Sequence, residues 1–304
     1  MACKRFPVLI GITLLVLVSA CSPSPTASVE PVPSPSGSPS PTILGSGTPA
    51  PKSTALPTAE APIGSPTQTL CPDQQGRIEK YQILWQDETL TGRIYLPPCY
   101  DQDLDRRYPA LYLLHGATET DQEWDDLGVD EIADLLIAQE RIPPLLIVMP
   151  REITWLNVAQ NPFGDRLAQV VVPWVEEHYR ALPDRQQRAV GGMSRGGNWA
   201  VRLGLLHWGL FGSLGGHSTP LFYGDLKRVP GWLEAIPPGM TPRIYLDIGE
   251  GDNNLEDALS FYQALVKAGV TPEWHLNPGL HNETYWKAHL EEYLLWYSAG
   301  WQGN

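Results

Sequence analysis

Residues 191–197 read GGMSRGG, directly after the apolar pair Ala189-Val190. Four glycines surround one serine, Ser194. Gly192-Met193-Ser194-Arg195-Gly196 fits the pattern G-x-S-x-G, set between a short apolar run and a stretch with helical spacing. In that setting the serine occupies a sharp strand-to-helix turn with strained backbone angles, and the residues two positions to either side must be small to fit the crowded turn. The turn lifts the hydroxyl above the carboxyl end of a sheet, and the helix N-terminus beneath it favours a developing negative charge. The plainer alternative is a glycine-rich turn built only for close packing. The flanking strand and helix favour a nucleophile.

The pattern outward from this turn supports a layered α/β domain. Upstream, Ile78–Gln86 and Thr89–Leu96, joined by Asp87-Glu88, predict a hairpin. Tyr108–His115 and residues 143–150 are almost wholly apolar runs, of the kind found in strands buried on both faces. Val129–Gln139 and Leu167–Tyr179 have helical spacing, the latter despite Pro173. Downstream of the short strand Arg188–Gly191, the order continues as a helix over Asn198–His207, a strand over 242–249 and a helix over Leu255–Lys267. Gly269 is placed to cap that helix. A strand over 272–279 and a helix over Glu283–Tyr297 follow. Strands alternating with helices predict a mostly parallel central sheet with helices on both faces. Residues 219–240 show no clear period and read as a loop or small lid.

A serine hydroxyl is a weak nucleophile without a base to take its proton. In the α/β-hydrolase fold the order along the chain is Ser, then Asp or Glu, then His. Among the histidines after residue 194, His207 and His289 fall on helices, His275 within a strand, and His217 before any acid on the later strands. His281, in NPGLHNET between the last strand and the last helix, is the expected base. For the acid, the loop GEGDNN after strand 242–249 offers Glu250 and Asp252. Asp252 is favoured, although a helix-capping role would also suit it. Stabilising an oxyanion takes two backbone N–H groups. Arg195 supplies one, and Ala117, in LLHGATETDQEW after the first buried strand, the other. His115 is expected to support that loop through hydrogen bonds. Trp124, Trp155, Trp199, His217 and Trp286 are candidates to line a substrate pocket, as is the Arg195 side chain.

These motifs resemble the putative esterase (esterase D-like) family, which includes feruloyl esterase domains, enterochelin esterases and the antigen 85 mycolyltransferases. The resemblance covers roughly residues 90–300. It rests on YLLHG with Trp124 downstream, VMP at 148–150, RAVGGMSRGG followed by LHWGLFGSLGG, Gly249-Glu250-Gly251-Asp252, and GLHNETYW. It implies an α/β-hydrolase fold and carries the nucleophile onto Ser194, the acid onto Asp252, the base onto His281 and the oxyanion donors onto Ala117 and Arg195. The chain departs from the family at REITWLNVAQNPFGD, which lacks the glycine-rich DGG common after the third strand. The implied activity is hydrolysis of carboxylic esters through an acyl-enzyme, on feruloyl or acetyl groups of polysaccharides or on siderophore esters, with no cofactor. Acyl transfer to a sugar is the enzymatic alternative, and a surface binding module that keeps the fold without turnover is the non-enzymatic one.

The rest of the 304-residue chain bears on where such a domain works. Lys4 and Arg5, the apolar run from Pro7 to Ala20 and the ending Val18-Ser19-Ala20-Cys21 resemble a bacterial lipoprotein signal, with Cys21 as the lipidated residue. Residues 22–70 hold twelve prolines, three charged residues and no aromatic residue. Such a segment cannot bury enough apolar surface to offset chain entropy and reads as a tether. The expected organisation is a signal at 1–20, Cys21 with a Pro/Ser/Thr-rich linker to residue 70, and one esterase domain over 71–304. The expected location is the bacterial cell envelope, with the membrane as partner through Cys21. In an oxidising compartment Cys71 and Cys99 are expected to pair. No CxxC or Cys/His cluster supports a metal site. A formal charge of −13 with no basic patch argues against nucleic acid, and no protein partner is implied.

Overall fold

The computed structural model describes residues 75–153, 158 and 160–301. The signal, the linker, Cys21, Cys71 and Trp155 lie outside the described residues. One eight-stranded sheet organises the described residues, in the order β1-β2-β4-β3-β5-β6-β7-β8. The strands are β1 Arg77–Trp85, β2 Glu88–Leu96, β3 Ala110–Leu114, β4 Leu146–Pro150, β5 Arg188–Met193, β6 Ser213–His217, β7 Arg243–Gly249 and β8 Glu273–Asn277. β1 and β2 form the predicted hairpin, with Trp85 opposite Glu88 and Gln86 at a positive φ of 53° in the turn. β2 joins β4 antiparallel, and every later pairing is parallel.

The helices are α1 Glu123–Asp126, α2 Val129–Ala138, α3 Phe163–Arg166, α4 Val172–His178, α5 Arg195–Leu206, α6 Val229–Glu234, α7 Leu255–Lys267 and α8 Glu283–Ala299. Side chains of α4, α5 and α7, among them Val175, Leu203 and Phe261, build the core on one face of the sheet. Those of α2 and α8, among them Leu136, Leu290 and Leu294, build it on the other. That two-sided cover explains why β3, β4, β5 and β6 are buried at every residue.

Three details differ from the sequence reading. β6, with sequence SLGGH, is a full member of the sheet that the sequence pattern did not yield. The predicted helix over 167–179 runs from α3 through a π-helical stretch, Leu167–Val171, into α4. Pro173 has no N–H to give the Gln169 carbonyl, and the wider π turn absorbs that loss. The segment 219–240 contains the short helix α6. Gly269 does end α7, at φ 81°.

The topology also locates the working face. From β3 the chain steps to β4 on one side and then crosses to β5 on the other. In an open α/β sheet, the crevice at the carboxyl ends of the strands at such a switch is where ligands bind. Ala117 follows β3 and Ser194 follows β5 at that crevice.

Candidate active site

Ser194 joins β5 to α5 with φ 52° and ψ −117°, a strained conformation for a residue with a side chain. A Cβ on Gly192 would run into the Gly196 carbonyl, and one on Gly196 into the Leu114 carbonyl. Both positions are glycine because backbone passes there at contact distance. The Ser194 N–H donates to the His217 carbonyl of β6 at 2.8 Å, which fixes the turn to the sheet.

His281 stands on the loop between β8 and α8, immediately before Asn282, whose side chain caps α8 by accepting the Tyr285 N–H. Its Nε2 is 2.9 Å from Ser194 Oγ, and its Nδ1 is 2.8 Å from Asp252 Oδ2. The Asp252 side chain is fully buried. Burial would raise its pKa, but hydrogen bonds from His281 and the Asn254 N–H outweigh that and hold the carboxyl below its ordinary value. Asp252, of the two loop acids, is therefore the carboxylate that meets His281. With Asp252 ionised, the Nδ1 proton of His281 is held by the carboxylate and Nε2 is left to take the proton of Ser194.

The two expected oxyanion donors flank the serine. Arg195 is the first residue of α5, where helix geometry points N–H groups out of the helix end. Ala117 lines, with Ser194, His281, Glu123 and Trp286, an open cavity of about 560 Å³. The cavity holds three carboxyl groups, from Glu119, Glu123 and Glu283. Glu123 is buried and accepts the Gly116 N–H at 2.6 Å. Burial, reinforced by Glu119 and Glu283, raises its pKa to about 7. Sequence reasoning missed Glu123, since the only signal was its place beside Trp124.

Several expected lining residues have other places. Trp124 is buried, donates its indole N–H to the Leu114 carbonyl at 3.0 Å and so braces the end of β3 from below. Trp199 is buried between Phe163 and Phe222. His217 is wholly buried, with Nδ1 2.7 Å from Asp247 and Nε2 3.0 Å from Tyr297. None of the three borders the cavity at Ser194. Trp286 does line the cavity, its ring edge-on to His281 at 5.1 Å. His115 supports its loop as expected, with Nδ1 2.8 Å from the Gly116 carbonyl. A separate cavity of about 260 Å³, lined by Leu90, Phe163 and Leu167 together with Glu88, Arg151 and Arg166, is not bordered by Ser194, Asp252 or His281.

Comparison with known proteins bears on the family and the fold. The chain is 28% identical over 239 residues to an endo-1,4-beta-xylanase/feruloyl esterase of Xylanibacter ruminicola, covering 71% of this chain and 31% of that protein. It is 34% identical over 136 residues to an esterase of Mycobacterium tuberculosis, covering 42% and 28% of the two chains. The chain thus spans less than a third of the length of these curated relatives. A ferulic acid esterase structure superposes with a TM-score of 0.67 at 23% identity, covering 74% of this chain and 98% of that one. An S-formylglutathione hydrolase from Staphylococcus aureus superposes with a TM-score of 0.59 at 17% identity, covering 73% and 99%. Both likenesses establish the α/β-hydrolase fold. The sequence profile of the putative esterase family matches residues 86–297, and the chain belongs to that family.

Proposed function

We propose that the protein is a serine esterase that hydrolyses carboxylic esters through an acyl-enzyme. The observation that carries this reading is the continuous relay from Ser194 Oγ to His281 at 2.9 Å and from His281 to Asp252 at 2.8 Å, with the serine on a strained elbow at the cavity floor. His281 Nε2 takes the hydroxyl proton as Ser194 Oγ attacks the ester carbonyl. The N–H groups of Ala117 and Arg195 receive the charge that develops on the carbonyl oxygen. His281 then returns the proton to the departing alkoxide, and the alcohol leaves. A water molecule, deprotonated by the same nitrogen, releases the acid and restores Ser194. Asp252 remains ionised throughout and stabilises the imidazolium.

The substrate class proposed is an aryl-acyl ester of a polysaccharide, supported by the feruloyl esterase named among the relatives. The openness of the cavity suits an ester on a large alcohol, which projects into solvent while its acyl group is held. The same reading places the domain in the cell envelope, anchored through Cys21 by the tether over residues 22–70, with its first residues tied down by a Cys71–Cys99 disulfide; the sequence features of residues 1–71 support it.

Steady-state hydrolysis of p-nitrophenyl acetate, methyl ferulate and feruloylated arabinoxylan by wild type and Ser194→Ala tests the proposal. Turnover of all three by wild type alone is expected. Turnover of the simple acetate but neither feruloyl ester would discard the substrate class and keep the chemistry. No turnover of any ester by wild type would discard both.

A further inference from the structure

We propose that Glu152 is a positioning residue that straps the two halves of the oxyanion hole together. The inference rests on the hydrolase reading above. The sheet order puts β3 between β4 and β5, so the chain leaving those strands places Gly116-Ala117 between Glu152 on one side and Arg195 on the other. The Glu152 side chain is buried and takes both ends of the Arg195 fork, Nε to Oε2 at 2.8 Å and Nη2 to Oε1 at 2.6 Å. Asn161 donates a third hydrogen bond to Oε1 at 2.5 Å. A forked guanidinium–carboxylate pair is planar and directional, so it fixes orientation as well as distance. A buried ion pair is weak evidence for stability, since an apolar pair could fill the same space at no loss. Geometry is the property that only the pair supplies.

The backbone of Glu152 reaches the other half. Its N–H donates to His115 Nε2 at 2.9 Å. An amide only donates, so Nε2 accepts, and the imidazole proton lies on Nδ1, which donates to the Gly116 carbonyl at 2.8 Å. Burial lowers the pKa of His115 and favours the neutral ring that this arrangement needs. The Gly116 carbonyl and the Ala117 N–H belong to one planar trans peptide and point to opposite sides. Holding the oxygen therefore aims the N–H. Glu152 thus holds the residue that carries one donor, Arg195, by its guanidinium, and reaches the Ala117 donor through its backbone and His115.

The test uses the full chain, with Glu152→Ala and Glu152→Gln compared with wild type. Active sites are titrated with a fluorophosphonate, kcat and KM are measured on p-nitrophenyl acetate, and phenylboronic acid serves as a probe of tetrahedral-adduct binding. Glu152→Ala is expected to lose about 10- to 100-fold in kcat per titrated site, with KM within about threefold and boronate affinity falling in parallel. Glu152→Gln keeps the shape and one acceptor, is expected to lose about three- to tenfold, and decides the matter if the alanine variant does not fold. A folded variant whose kcat per titrated site stays within about twofold of wild type overturns the role. So does a loss confined to the number of titratable sites, which is the signature of a structural part. A wild type that neither titrates nor hydrolyses would remove the hydrolase reading and this role with it, whereas an active wild type with unaffected variants removes the role alone.

Discussion

Among the described residues, two histidines on neighbouring elements each sit against a fully buried aspartate. His281 and Asp252 meet at 2.8 Å, and His217 and Asp247 at 2.7 Å. By distance and by the burial of the carboxylate, the two are equivalent. They differ in what the second imidazole nitrogen faces. That of His281 faces Ser194 Oγ, and the side chain is 25% exposed at the cavity. That of His217 faces the hydroxyl of Tyr297, and the side chain has no exposure. The second pair is closed further by Tyr285 and Tyr293, whose hydroxyls donate to Asp247 at 2.8 and 2.7 Å. Burial first, and the Asp247 charge second, push both phenols up, so they stay protonated as donors. A histidine–aspartate pair is therefore an ordinary device for satisfying buried polar groups. A nucleophile and an opening to solvent turn one of them into a candidate catalytic relay.

Substitution should separate the pairs sharply. His281→Ala is expected to cost about 10⁴- to 10⁶-fold in kcat, while His217→Ala loses less than about tenfold per titrated site and instead lowers the melting temperature. The contact of His217 with Ser194 is through its backbone carbonyl, which the substitution keeps. Steady-state kinetics with active-site titration reads both. At the carboxylates, Asp252→Asn is expected to lose about 10⁴-fold in kcat by favouring the wrong imidazole tautomer. Asp247→Asn should leave kcat per site within about tenfold and destabilise by about 3 kcal/mol in denaturant melts, because a buried charge network loses its centre.

Beside the open pair, Glu123 gives a pH signature. Its folded pKa, raised to about 7, lies above the ordinary value, so its protonated form favours folding and that contribution is lost as pH rises through about 7. Glu123→Gln, always neutral and still able to accept the Gly116 N–H, should be more stable than wild type by about 1–3 kcal/mol at pH 8 and lose the advantage near pH 4. In the closed pair, Tyr293→Phe removes one hydrogen bond to a charged group and should cost about 1–3 kcal/mol in the same melts with kcat unchanged.

Much of this was legible in the sequence because steric need wrote it there. Gly192 and Gly196 stand where backbone crowds the elbow, and chain order led from Ser194 to Asp252 and His281. The buried strands β3 and β4 appeared as unbroken apolar runs. Strand β6 did not, since SLGGH has five residues and two glycines, and the close approach of the Tyr297 hydroxyl to Gly215 is visible only once α8 is packed on the sheet. The distinction between His217 and His281 was drawn from order along the chain, yet the closed pair itself depends on contacts 30 and 80 residues apart. Tryptophan pattern misled at Trp124 and Trp199, because an indole can cap a carbonyl or fill a core as readily as it lines a pocket. Glu152 and Glu123 carried no periodic signal at all; their roles arise from three loops meeting above the sheet.

The most direct measurement is fluorophosphonate labelling of the protein, followed by mass spectrometry of the digested adduct. One adduct per chain, located on Ser194, abolished in Ser194→Ala, strongly slowed in His281→Ala and retained in His217→Ala, is the expected result. An adduct on another residue, or labelling of His281→Ala at the wild-type rate, would contradict the assignment of the open pair as the relay that activates Ser194.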